Sequence, residues 1–197
     1  HGMTGGEDFV LVGMAYRGGE SDQAIADGLG FLKAIRTTLT GSLAVDPARI
    51  YVGGSGNGAA HAAMLLDRDR SLAGGFILSG GLLEKRAAAP KFSRALPIHI
   101  ASGRFDVSYA PSLGALVYFR KLGAKVTLET LADGTDGQPE GLRQWLRIER
   151  SASEAKVEAD GWITKRLTEI EAMPDPVARW HAYEDFKPAL RGEIWSR

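Results

Sequence analysis

Short apolar runs alternate along this chain with longer stretches in which apolar side chains recur every three or four residues. Phe9-Val10-Leu11-Val12-Gly13-Met14-Ala15-Tyr16 is a continuous run closed by Arg17-Gly18-Gly19. Such a run suits a strand buried on both faces of a parallel sheet. Residues 49–53, 75–81 and 97–103 read the same way, and 125–131 alternates as an edge strand does. Between the runs, Ile25, Leu29, Leu32, Ile35 and Leu39 predict an amphipathic helix capped by Ser21 or Asp22 and stopped at Thr40-Gly41-Ser42. Ala59, Ala60, Ala62, Ala63, Leu65 and Leu66 predict a helix whose small side chains let its backbone approach the sheet. A further helix is expected around residues 112–122 with Gly123 as its C-cap, and another through Leu142, Trp145, Leu146 and Ile148.

Strands and helices in alternation call for a mostly parallel sheet of about five strands with flanking helices and right-handed crossovers. Residues 1–150 read as that α/β domain. From residue 151 alanine, glutamate and lysine dominate, with Trp162, Ile163, Leu167 and Ile170 at helical spacing. Pro174-Asp175-Pro176 breaks the pattern, and Pro176 is placed to start a second helix carrying Val177, Trp180, Tyr183 and Phe186. Residues 151–197 are therefore expected to form a C-terminal helical hairpin. Its aromatic residues serve as a cap on the sheet domain or as a surface for a protein partner or a second copy.

Composition narrows the function classes. Lysine plus arginine (24) balance aspartate plus glutamate (24), which gives no electrostatic reason to expect nucleic acid or an anionic membrane. The absence of cysteine removes disulfides, thiolate metal sites and thiol nucleophiles without fixing a compartment. No apolar run reaches the roughly 18 residues of a membrane span, and no targeting signal is visible. The chain opens on His1-Gly2-Met3-Thr4, which reads as an expression scar or the cut end of a longer precursor, so localisation is left open.

In a parallel sheet, chemistry gathers in the loops at the carboxyl ends of the strands. The densest such loop is Gly53-Gly54-Ser55-Gly56-Asn57-Gly58. Together with Val45-Asp46-Pro47-Ala48-Arg49-Ile50-Tyr51-Val52 before it, this stretch resembles the approach to the nucleophile elbow of α/β hydrolases of the esterase and polyhydroxybutyrate-depolymerase type. Gly103-Arg104-Phe105-Asp106 resembles the loop carrying that family's triad acid, and residues 133–139 resemble its histidine loop. The resemblance covers roughly residues 9–150. It implies an α/β-hydrolase fold and ester-hydrolase chemistry, and it assigns positions to a triad.

The family's elbow is G-x-S-x-G, with the serine on a strained strand-to-helix turn. Matching Gly54 and Gly58 to its two glycines puts Gly56 at the nucleophile position. Asp106 falls on the acid and Asp136 on the histidine. An aspartate is a poor base for a serine and cannot return a proton as imidazolium does. The resemblance in this register therefore implies a degenerate triad, a pseudoenzyme, with the N–H groups of Gly56, Asn57 and Gly58 kept as a site for a small ester- or carboxylate-like ligand. The other register makes Ser55 the nucleophile of a working esterase, with Asp106 and a histidine from elsewhere, His181 being the candidate.

The remaining histidines read as structural: His61 on the alanine-rich helix, His99 between Ile98 and Ile100 in a strand, and His1 at the terminus. No histidine–carboxylate spacing fits a metal. Gly54-Ser55-Gly56-Asn57-Gly58-Ala59 also scans as G-x-G-x-x-A, but a strand and helix precede it and no carboxylate ends the next strand, so no nucleotide cofactor is expected.

Overall fold

Parallel strands need crossovers, and two of those described here contain a helix that must bury an apolar face. The computed structural model describes residues 9–14, 22–43, 45–82, 90–131, 139–148 and 152–191. The elements run α1 (Asp22–Ser42), β1 (Tyr51–Ser55), α2 (Asn57–Arg68), β2 (Gly74–Leu78), β3 (Pro97–Gly103), α3 (Tyr109–Lys121), β4 (Lys125–Leu131), α4 (Glu140–Ile148), α5 (Ala152–Glu171) and α6 (Pro176–Arg191). The strands form one parallel sheet in the order β1-β2-β3-β4. Ser55, Leu78, Ala101 and Glu129 stand in one row across it.

The chain falls into two compact units, His1–Leu32 with Ala48–Glu149, and Lys33–Pro47 with Arg150–Arg197. In the first, successive strand residues point to opposite faces. Val52, Ile77, Ile98 and Ile100 join Ala59, Ala63, Leu66, Ala115 and Phe119 in the main core, which α2 and α3 cover. On the other face, Leu142, Trp145 and Leu146 of α4 form a smaller cluster against Phe9, Tyr51, Phe76 and Leu78. Gly123 closes α3 with φ +88° and donates to the Arg120 carbonyl at 3.0 Å, as a glycine C-cap does. In the second unit α5 and α6 pack on each other as a hairpin, α6 beginning at Pro176. Ile170 and Phe186 are buried there, while Val177, Trp180 and Tyr183 are exposed.

One expected element is absent. Residues 9–14 form no strand, so the described sheet has four strands rather than about five. The apolar side chains of this run meet their burial requirement by docking. Phe9 packs on the α4 cluster and Met14 on the main core, while Leu11 and Val12 stay exposed. An apolar run becomes a strand only where a neighbouring backbone supplies hydrogen bonds, and none does among the described residues. Among the described residues no helix is long and apolar enough to cross a membrane.

Candidate functional site

The turn between β1 and α2 is built by glycines in contact. β1 runs two residues further than the apolar pattern predicts, so Ser55 is its last residue and pairs with Leu78. Gly56 alone makes the turn, at φ 56° and ψ −122°. An L side chain adopts that positive φ only at a cost, whereas glycine does so freely. α2 begins at the next residue. Gly54 faces the first turn of this helix so closely that a Cβ on it would collide with the Gly58 carbonyl and lie 2.8 Å from the Ala59 nitrogen. Strand and helix can touch here only because Gly54 has no side chain.

The strip after β2 completes the seam. Ser79 takes φ +47°, unusual for a residue with a side chain, and donates its N–H to the Ala101 carbonyl at 2.8 Å. Gly80 then passes Gly56 so tightly that a Cβ on Gly80 would stand 2.6 Å from the Gly56 carbonyl oxygen and from the Ala59 Cβ. The fully buried Ser112 hydroxyl of α3 donates to the Gly80 carbonyl at 2.6 Å, tying this strip to the helix that follows the β3 loop.

The N–H groups expected to hold a ligand do not behave alike. The Gly56 N–H is engaged by the Leu78 carbonyl at 3.0 Å, and Ala59 donates to the Gly56 carbonyl at 3.0 Å. Asn57 and Gly58 carry the first two N–H groups of α2, with no acceptor among the described residues. They lie where the helix dipole presents partial positive charge. The Gly56 N–H is therefore engaged within the fold.

Asp106 sits in the loop after β3. Its N–H donates to the Gly103 carbonyl at 3.1 Å, and its Oδ1 accepts from the Ser108 N–H at 2.9 Å. Its Oδ2 is buried and has no hydrogen-bond partner among the described residues. Phe105 and Val107 beside it are more than nine-tenths exposed. Ser108 also approaches the buried Ser102 hydroxyl at 3.3 Å.

Among the described residues of the first unit no imidazole joins these groups. His61 is buried on α2, with its ring against Gly28 of α1, and burial lowers its pKa from the ordinary 6.5. His99 is held between β3, β4 and α4. Its Nδ1 meets the Thr127 hydroxyl at 2.9 Å and its Nε2 meets Glu129 Oε2 at 3.1 Å. Trp145 lies 6.0 Å from its ring, centroid to centroid. Burial pulls the His99 pKa below 6.5, and the Glu129 carboxylate pulls weakly the other way. The neutral ring thus donates from Nε2 to Glu129 and accepts at Nδ1 from Thr127. Neither His61 nor His99 is hydrogen-bonded to Ser55 or Asp106. His181 belongs to the second unit, where it is exposed and meets Trp180 edge-on at 4.9 Å. Asp136 and His1 lie outside the described residues. No group of three metal-ligating side chains gathers among the described residues.

Sequence reasoning missed Ser79, Gly80, Ser112 and Glu129. Ser79-Gly80-Gly81 signalled a glycine exit from a strand, but not what it would touch. Ser112 and Glu129 carried no local signal, since their partners are 32 and 30 residues away.

No protein-family model matches the chain, and no curated protein is significantly similar to it. Solved structures are similar in fold. A carboxylesterase from Bacillus cereus shares 18% identity over 72% of this chain and 66% of its own, with a TM-score of 0.56. A carboxylesterase from Mesorhizobium loti shares 21% identity over 64% of this chain and 63% of its own, with a TM-score of 0.54. A phospholipase/carboxylesterase from Dyadobacter fermentans shares 16% identity over 65% and 62%, with a TM-score of 0.53. This chain thus spans just under two thirds of the length of these structures. Its parallel sheet and flanking helices have an α/β-hydrolase-like fold.

Proposed function

We propose that this protein is an α/β-hydrolase frame that has lost serine-hydrolase chemistry and binds a small carboxylate- or ester-like ligand at the turn between β1 and α2. The observation that carries the reading is Gly56. It makes the positive-φ turn between strand and helix, where hydrolases of the G-x-S-x-G type carry their serine, and it has no side chain. Gly54 and Gly58, two residues to either side, make the close strand-to-helix contact. Loss of the serine from such a triad lowers the rate by roughly a million-fold. The buried Asp106 Oδ2, which has no donor among the described residues, agrees with a triad acid that lacks an imidazole partner, as Asp136 at the histidine position would leave it. Binding outlives catalysis because the Asn57 and Gly58 N–H groups at the start of α2 suit an anionic oxygen.

The test is labelling by a fluorophosphonate probe together with hydrolysis of p-nitrophenyl acetate. The expected result is no covalent adduct and hydrolysis at the buffer rate, unchanged by Ser55→Ala. An adduct on Ser55, with turnover abolished by Ser55→Ala and by His181→Ala, would establish instead an active esterase using Ser55, Asp106 and His181.

The exposed Val177, Trp180 and Tyr183 on α6 support a protein partner, or a second copy of the chain, at the C-terminal helices. Sedimentation of the wild type against Trp180→Ser tests it. A mass above the monomer that Trp180→Ser lowers supports the second copy, and a monomer in both leaves a different protein as the occupant to be sought.

A further inference from the structure

At the amino ends of β2 and β3 the surface folds into a pocket of about 210 Å³ lined by Arg70, Lys91, Phe92, Ser93, Arg94 and Leu96, with Pro90 at its rim. The strands are parallel, so this pocket lies at the opposite end of the sheet from Gly56, which follows the carboxyl end of β1. By sequence pattern Asp67-Arg68-Asp69-Arg70 reads as a solvated helix end, and residues 84–94 as a polar, proline-containing segment.

Three cations line the pocket, and among the described residues no carboxylate lines it. In a chain whose charges balance overall, that is a local concentration of one sign. Two of the cations are held in place. The Arg70 guanidinium lies over the Phe92 ring, 4.3 Å from its centroid. Phe92 is itself fixed by stacking on Phe119 of the core at 6.4 Å and by its N–H, which donates to the Leu122 carbonyl at 2.8 Å. The Arg94 guanidinium donates to the Leu72 carbonyl at 2.8 Å. Asp67, 3.6 Å from Arg70, offsets part of one charge and is itself bonded by the Tyr118 hydroxyl. Lys91 has no such partner among the described residues. Two positioned planar forks and one exposed ammonium around a small concavity suit a compact anion carrying two or more charges on tetrahedral oxygens.

We propose that this pocket is a binding site for a small free polyanion of the phosphate class, separate from the ligand site at the turn. The Arg70 and Arg94 forks grip its oxygens, and Lys91 closes over it. Because the Arg70 guanidinium is already held over Phe92 and beside Asp67, and that of Arg94 by the Leu72 carbonyl, binding needs little reordering of the long side chains that usually makes such contacts weak.

The experiment is calorimetric titration of the full chain with inorganic pyrophosphate at fixed ionic strength, with sodium chloride as the control. Saturable one-to-one binding is expected. Lys91→Gln, which breaks no bond of the fold, is expected to weaken it about tenfold. Arg94→Gln is expected to weaken it about ten- to hundredfold, as loss of a charge-assisted hydrogen bond does. Arg70→Gln provides a third variant should Arg94→Gln fold poorly. Absence of saturable binding, or binding equally strong in Lys91→Gln and the folded arginine variants, would overturn the proposal. So would sedimentation with phosphatidic-acid vesicles in the absence of any pyrophosphate binding, because the anion would then be a lipid headgroup.

Discussion

Gly54 of β1 and Gly58 of α2 meet so closely that neither backbone could keep its place if Gly54 carried a Cβ. This contact fixes where the strand stops and the helix starts, and leaves one residue, Gly56, to make the whole reversal between Ser55 and Asn57.

The two glycines of that contact are therefore not equivalent. A Cβ on Gly58 meets nothing within 4 Å, whereas one on Gly54 collides with backbone that has no way to yield. Gly54→Ala is expected to destabilise the protein by about 3 kcal/mol or to prevent folding, in the range of severe overpacking. Gly58→Ala is expected to be neutral, or stabilising by up to about 1 kcal/mol through helix propensity. Urea denaturation of the two variants distinguishes them, and equal midpoints would contradict the contact.

Gly56 presents the opposite case. A Cβ there meets nothing within 4 Å, so the only penalty is its positive φ. Gly56→Ser is expected to fold and to lose about 1–3 kcal/mol, the usual cost of holding an L residue in a sparsely populated positive-φ region. If no base stands in reach of the new hydroxyl, p-nitrophenyl acetate hydrolysis stays at the buffer rate. Thermal melting and an ester-hydrolysis assay of the same sample check both halves.

Ser112 holds the Gly80 strip against Gly56 from the far side. Its hydroxyl is buried and donates to the Gly80 carbonyl. Ser112→Ala leaves that carbonyl short of a donor and is expected to cost about 1–3 kcal/mol. Ser112→Thr keeps the hydroxyl and separates the hydrogen bond from the packing. Chemical denaturation is the measurement, and a cost below about 0.5 kcal/mol for the alanine variant would remove Ser112 from the seam.

Acid should destabilise the first unit through its histidines. Burial sets the folded-state pKa values of His61 and His99 below the ordinary 6.5. The unfolded chain then takes up protons as the pH falls through 6.5 while the folded chain does not. Stability is full above that value and is lost as the pH falls toward the folded pKa, at up to about 1.4 kcal/mol per pH unit for each histidine. Melting temperatures between about pH 8 and pH 5 should decline on the acid side, and His99→Gln should flatten the decline. A curve that is flat, or that rises toward acid, would contradict the buried neutral ring.

The sequence by itself determined the α/β alternation, because strands buried on both faces must be continuously apolar and the helices between them must show one apolar face. It placed Pro97–Gly103 and Lys125–Leu131 without error and gave Gly123 and Pro176 their cap positions, since these depend on residues close in sequence. It misread residues 9–14, where apolar content was served by docking rather than pairing. It also ended β1 two residues early, because glycine carries no strand signal and only pairing with Ile77 and Leu78 holds Gly54 and Ser55 extended. The tertiary structure alone decided that Gly56 makes the turn and that its N–H is engaged by Leu78. It alone brought Ser112 to Gly80, Glu129 to His99, and three cations into one pocket. The physical reason is common to all of these. Local pattern fixes what a segment can be, while hydrogen-bond partners and close backbone contacts come from strands and helices tens of residues away, which only the folded chain brings together.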